Sequence, residues 1–342
     1  MRIRVCSLAS GALCVLGCGG STPTPQTSAE ASPAAALSSG PSASSPPQTT
    51  PPPSPELLAG IKAFDAGNYA DARKSFEAAT HENPNDFDAS YNLGMACEKL
   101  SDPSCAEAAY KSALAAKPDL ETAAAELCAL YVDAGRFDDA LAVGRAGLAK
   151  HPSSGPLHEN VGVALASRGD QDGAVRELRA AVDGQPSQPM YRLTLAHWLN
   201  AWHSPGAVAE LDQARDLAKD DYGMIASIGF EYRLAGDFAA CEKMFDRAIH
   251  MKDGGEVRTQ RALCKLGEKD EKSTLEDLRA AVAAEPTYAP AHYYLGGRLA
   301  IAKKFKEAAA EYTKYLELAP NGSLAKVARE RLKAAEGAAG KK

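Results

Sequence analysis

Residues 87–118 read FDASYNLGMACEKLSDPSCAEAAYKSALAAKP, and the spacing of small and aromatic residues in this stretch recurs along most of the chain. With Phe87 as the first place, Leu93, Gly94, Ala106, Tyr110, Ala113 and Pro118 stand at places 7, 8, 20, 24, 27 and 32. One period earlier, Gly60, Ala72, Phe76, Ala79 and Pro84 hold matching places. Later come Leu127, Tyr131, Gly135, Ala140 and Pro152, then Gly162, Gly169, Ala174, Ala181 and Pro186. A degenerate fifth repeat keeps Leu195, Ala207, Leu211 and Ala214, with one residue missing at its turn. The sixth is clear again at Gly229, Tyr232, Gly236, Phe245 and Ala248. The seventh keeps only Leu278, Ala281 and Pro286, and the eighth has Leu295, Gly296, Phe305, Ala308, Tyr312 and Pro320. The period is 34 residues, with 33 in two places. Fixed-period similarity of this kind marks a stacked repeat, so it overrides any count of domains taken from length.

Composition agrees. Of 342 residues, 45% are hydrophobic, 24% charged and 6% aromatic. That supplies a sizeable core, and abundant alanine favours closely packed helices. The formal net charge is −6 and no Lys/Arg stripe appears, so a nucleic-acid partner has no electrostatic footprint here.

The pattern resembles the tetratricopeptide repeat (TPR) family over residues 53 to about 336. The resemblance implies an all-α fold: a right-handed superhelical solenoid of about eight helix-turn-helix units with a C-terminal capping helix. Gly or Ala at the eighth and twentieth places lets the two helices of a pair approach. The aromatic at the twenty-fourth place is expected to fill the gap to the next pair, and proline at the thirty-second place ends the second helix. Residues 53–322 form the array, and 323–342 form the capping helix and tail. In that last segment Leu324, Val327, Leu332 and Ala335 are expected to cover the open end of the stack.

In TPR domains the concave face comes mainly from the first helix of each pair, at its second, fifth, ninth and twelfth places. Here those places hold Leu57, Ile61, Phe64, Tyr91, Met95, Val163, Met190, Leu193, His197, Phe230 and Tyr293. The Lys/Asn set with which one subfamily grips a free C-terminal carboxylate is missing. Exposed apolar residues on such a face imply a partner that presents an apolar helix or extended segment. The same residues could instead be covered by tight superhelical packing or by the tether. On the repeat's hairpin, Cys97 and Cys105 sit at mirrored places about the turn, within reach of a disulfide. Cys241 and Cys264, on neighbouring helices, are a weaker second pair. The alternative is buried thiols, as is expected of Cys128 at a small-residue place.

Before the array, Met1-Arg2-Ile3-Arg4 is basic and Val5–Leu16 is an apolar run too short to span a bilayer. Val15-Leu16-Gly17-Cys18 resembles a bacterial lipobox, which implies that 1–17 is a lipoprotein signal peptide and Cys18 the lipidated mature N-terminus. Residues 18–52 read as a disordered Ser/Pro-rich tether. From Gly19 to Pro55 there are ten prolines, nine serines and five threonines, and Glu30 is the only charge. An acyl anchor would hold the body to a lipid bilayer. The resemblance places that body in the periplasm of a bacterial envelope, at the outer more than the inner membrane, because Gly19 is not the Asp linked to inner-membrane retention.

No P-loop, G-x-G-x-x-G, G-x-S-x-G elbow or C-x-x-C is present, and His158-Glu159 lacks the second histidine of a zinc-protease helix. His197 and His203 flank Trp198 and Trp202, at a spacing that puts the histidines on different helix faces. The residues therefore imply no enzyme, cofactor, metal or small-molecule substrate. A scaffold that binds a protein or peptide partner is the leading expectation. A regulatory subunit docking on an envelope enzyme such as a cell-wall synthase is the alternative.

Overall fold

The structure is a computed structural model that describes residues 52–340. The expected signal peptide 1–17, the expected lipidation site Cys18 and the expected tether up to residue 51 lie outside the described residues. Among those described there are 17 α-helices and no strand, in two compact lobes, one ending at Glu177 and the other starting at Leu178. The first lobe holds α1 Pro55–Asp65, α2 Tyr69–Glu82, α3 Phe87–Lys99, α4 Pro103–Ala116, α5 Glu121–Asp133, α6 Phe137–Leu148 and α7 Gly155–Ser167. The division falls inside α8, Gln171–Gly184. The second lobe continues with α9 Pro189–Ala201, α10 Ala207–Leu217, α11 Tyr222–Leu234, α12 Phe238–Met251, α13 Gly255–Gly267, α14 Glu271–Ala284, α15 Ala289–Ile301, α16 Phe305–Leu318 and α17 Ala325–Ala339.

Local chemistry sets the helix ends. Pro103 opens α4 where a missing N–H goes unused, and Asp102 before it accepts from Cys105 N at 3.0 Å. Asp86, Asp221, Asp237 and Asp270 cap α3, α11, α12 and α14 in the same way. The turn inside each pair carries one left-handed residue at the fifteenth place. Gly67, Gly135, Gly169 and Gly236 have φ of +70 to +86°, and Ser101, His203, Lys269 and Lys303 adopt +52 to +64° at the equivalent sites. Glycine takes this conformation without cost and other residues do not. All eight hairpins make the same turn, although only four carry the glycine.

Within each lobe every helix packs on the next, and the first helices of successive pairs also touch: α1 with α3 and α5 with α7 in one lobe, α9 with α11, α11 with α13 and α13 with α15 in the other. The close crossings work as the small residues imply. A Cβ on Gly60 would collide with the Phe76 ring and one on Gly94 with the Tyr110 ring, and one on Gly296 would sit 3.1 Å from Tyr312. The aromatic of the twenty-fourth place therefore lies across the glycine of its own pair, where a bridge to the next pair was expected. Tyrosine at the eleventh place reaches between pairs instead: Tyr232 on α11 donates to Asp212 Oδ1 on α10 at 2.8 Å.

The last helix caps the array on a stripe shifted from the expected one. Ala325, Ala328 and Ala335 are buried, Leu324 and Leu332 pack beside them, and Val327 stays exposed. In a helix with apolar spacings of three and four, Val327 falls one position off that stripe.

Two disulfides reinforce the stack. Cys97 of α3 is bridged to Cys105 of α4 with Cα atoms 5.7 Å apart, and Cys241 of α12 to Cys264 of α13 at 5.9 Å. The first closes one hairpin, and the second joins the sixth pair to the seventh. Cys128 is free and buried, and burial pushes its thiol up to about 12. The wider loop gives the larger effect: replacing Cys241 and Cys264 together with Ser is expected to remove about 2–4 kcal/mol. A urea melt followed by circular dichroism would read this as an earlier transition. An unchanged melt would show that the pair contributes nothing to the stack.

Candidate functional site

The first helices of the pairs form one row in each lobe, and the expected binding residues lie on these rows. In the first lobe Leu57, Phe64, Met95 and Val163 are buried, at 3–8% exposure, and Ile61 and Tyr91 are half-buried. In the second lobe Met190, Leu193 and Tyr293 are buried at 3–6%, and His197 and Phe230 are half-buried. None of the eleven is exposed, contrary to the expectation of an open apolar face. First helices of successive pairs touch directly, so most of these side chains are consumed as packing between neighbours. Of the eleven, only Ile61 and Tyr91 in one lobe and His197 and Phe230 in the other keep accessible surface.

Around Tyr91 the face is polar. Its phenol is raised above the ordinary tyrosine range, first by burial and then by the charge of Glu126, while a hydrogen bond with Thr122 opposes this. Its ring lies 5.8 Å from that of Tyr110. Asp88, one turn earlier, has its carboxyl raised by burial and by Asp86, against Lys117. Asn92 is buried at 1% exposure and donates through Nδ2 to the Asp88 carbonyl at 2.9 Å.

In the second lobe the row is tied by a carboxylate. Glu231 of α11, 6% exposed, receives His197 Nδ1 at 2.8 Å and Asn200 Nδ2 at 2.9 Å, both from α9. His197 thus holds adjacent inner helices together and stands edge-on to Trp198, whose ring is 5.4 Å from Trp202. His203 takes the left-handed turn position, away from His197. Beside this network a depression is lined by Asn200, His203, Gly206, Val208, Asp212 and Leu234, with Leu234 half exposed. Phe230 carries the Arg233 guanidinium over its ring at 4.9 Å.

Reading places one repeat at a time missed Glu231 and Asn200. The signal was there in the spacing: Glu231 follows His197 by 34 residues, which puts the two on adjacent first helices. A second charged group went unnoticed for the same reason. Arg261 and Lys265 of α13 converge on Asp277 of α14, with Arg261 Nε at 2.8 Å from Oδ2 and Lys265 Nζ at 3.0 Å.

The tetratricopeptide repeat family model matches residues 57–121, 130–189 and 275–323. Human protein O-mannosyl-transferase TMTC1 is 27% identical over 236 residues, covering 69% of this chain and 23% of that protein, so the chain spans under a quarter of that relative's length. Among solved structures, yeast Tom70 aligns with a TM-score of 0.54 at 14% identity, over 82% of this chain and 63% of the other. The APC/C hetero-tetramer Cut9-Hcn1 gives a TM-score of 0.50 at 13% identity, over 82% and 55%. At such identities the likeness is one of fold. The matched segments make up just over half of the chain, and with helix pairs stacked in register through each lobe, the chain belongs to the tetratricopeptide repeat family, whose arrays act as scaffolds for protein–protein interaction.

Proposed function

We propose that this protein is a lipid-anchored, non-catalytic scaffold that binds protein or peptide segments in the bacterial cell envelope, with its body in the periplasm and the outer membrane as its seat. The observation that carries the binding reading is that Tyr91 and Phe230 keep accessible aromatic surface on the inner rows, among neighbours that are otherwise buried. Half-buried aromatics held rigidly by a packed floor make good anchors for a partner. The two disulfides support an oxidising compartment, and Val15-Leu16-Gly17-Cys18 supports acylation at Cys18.

The test uses the full chain in a diderm bacterium. A photo-crosslinking phenylalanine analogue at Tyr91 or Phe230 is expected to trap one defined partner, and the same analogue at exposed Met251 is expected to trap none. Cys18→Ala is expected to abolish metabolic lipid labelling and to move the protein from the membrane to the soluble fraction. Crosslinking that is equal at all three sites would overturn the binding surface, and a Cys18→Ala protein that stays labelled would overturn the anchor.

A further inference from the structure

We propose that His158 and His292 are proton-operated joints: each ring, doubly protonated, clamps its helix pair to the pair before it, and the array loosens when the rings give up their second proton. One lies in each lobe, and the two are built alike. His158 stands at the fourth place of the fourth pair, on α7. Its Nδ1 meets Glu177 Oε2 of α8 at 2.7 Å, and its Nε2 meets the carbonyl of Pro152, at the end of the third pair, at 2.9 Å. His292 holds the fourth place of the eighth pair, on α15. Its Nδ1 meets Glu311 Oε2 of α16 at 2.6 Å, and its Nε2 meets the carbonyl of Pro286, at the end of the seventh pair, at 2.9 Å.

Carbonyl and carboxylate oxygens only accept hydrogen bonds, and a neutral imidazole has one N–H to donate. With a single proton, each ring would leave one nitrogen lone pair facing an oxygen lone pair inside the stack, where side-chain exposure is 14% for His158 and 5% for His292. Two protons satisfy both contacts. The second belongs on the ring, because a free imidazole holds it up to about pH 6.5 and a free carboxylate only up to about 4.3. The fifth pair makes the same point with a permanent cation. Its fourth place is Arg192, which meets Glu210 at 2.8 Å, and with the residue missing at that turn Glu210 is the counterpart of Glu177 and Glu311. The fourth, fifth and eighth pairs thus all set a basic side chain against a glutamate at one site. His197 differs: it meets an acceptor through Nδ1 alone, so one proton suffices there.

Neighbouring charges are few. On the α5–α6 side of α7 stand Glu121 and, beside Pro152, His151, whose Nε2 is turned to the Asp119 carbonyl at 2.8 Å. On the α13–α14 side of α15 stand Glu256 and, beside Pro286, Glu285, which accepts from Gly255 N at 3.1 Å. Among the described residues, Glu177 and Glu311 are the charged groups in contact with the two rings. The folded array therefore holds protons that the unfolded chain gives up above about pH 6.5. The clamping is complete below that pH and is lost as pH rises through the point where the folded rings release them. Over that window each joint raises the unfolding constant by at most about tenfold per pH unit.

Ring nitrogen chemical shifts of the histidine-labelled full chain distinguish imidazolium from the neutral tautomers. At about pH 7.5, one unit above the free histidine value, two rings are expected to be imidazolium, identified by their loss in His158→Gln and His292→Gln. Exposed His81 and His203 are expected to be neutral. Urea midpoints of the wild type should fall between about pH 6 and 8.5. His158→Arg combined with His292→Arg, which copies Arg192–Glu210, should flatten that fall and keep the helical circular-dichroism spectrum. A ring that is neutral at about pH 7.5, as His81 is, overturns its joint. A fall in midpoint as steep in the double Arg variant as in the wild type overturns the proposal. Should that variant fail to fold, the wild-type ring spectra decide alone.

Discussion

Truncating Tyr110 to alanine is expected to remove about 3–5 kcal/mol of stability. The ring is fully buried and fills the space above Gly94, where the two helices of the second pair come closest. Its loss opens a cavity that the backbone cannot close, because α3 and α4 are already at contact and are bridged by Cys97–Cys105. The reciprocal change, Gly94→Val, forces a side chain into the ring and is expected to cost about 1–3 kcal/mol. Leu58→Ala, at a site 49% exposed, should move stability by no more than about 0.5 kcal/mol. Urea unfolding of the three variants followed by circular dichroism orders them. A Tyr110→Ala protein as stable as Leu58→Ala would show that the glycine–aromatic crossing does not hold the pair together.

The charged cluster of the seventh pair should respond as strongly. Asp277 has 8% side-chain exposure and faces Arg261 and Lys265, at 18% and 15%. Arg261 also reaches Asp246 at 2.7 Å and is held above the ordinary arginine value, chiefly by its hydrogen bonds to Asp277. Asp277→Ala leaves two largely buried cations facing each other and is expected to cost about 3–5 kcal/mol. Replacing the three together, with Arg261→Met, Lys265→Met and Asp277→Leu, should be neutral or stabilising by about 1–4 kcal/mol, since desolvation of the ions goes with them. Asp246 and Glu242 keep enough water to stand alone, at 44% and 30% exposure. Thermal melts of the single and triple variants decide this; a mild effect of Asp277→Ala would mean that water reaches the cluster in solution.

That cluster also explains where the sequence was hard to read. The seventh pair looked weak because α13, GEVRTQRALCKLG, meets α12 and α14 partly through ions, from Arg261 and Lys265 to Asp246, Glu242 and Asp277. The fifth looked degenerate because Gly206 and a shortened turn replace a residue, yet His203 keeps the left-handed backbone of its hairpin. The period, the helix pairs and the places of Gly94 and Tyr110 were legible because sterics at a close crossing allow few residue types. The exposure of the inner row was not. Whether Leu57 or Met95 faces solvent depends on the distance between neighbouring first helices, which no single repeat specifies. Glu231 and Asn200 stayed hidden because a polar contact between adjacent first helices shows only when neighbouring repeats are compared with each other.

The two disulfides have a mechanical consequence. A repeat array pulled from its ends comes apart pair by pair, and each freed residue adds at most about 3.6 Å of length. Cys241–Cys264 closes off a separation of 23 residues and Cys97–Cys105 one of 8. With the bridges intact, those segments add almost nothing to the extension under load, and together they withhold on the order of 100 Å. Were the chain tethered at one end and gripped by a partner at the other, its reach under tension would be set by the redox state of four cysteines.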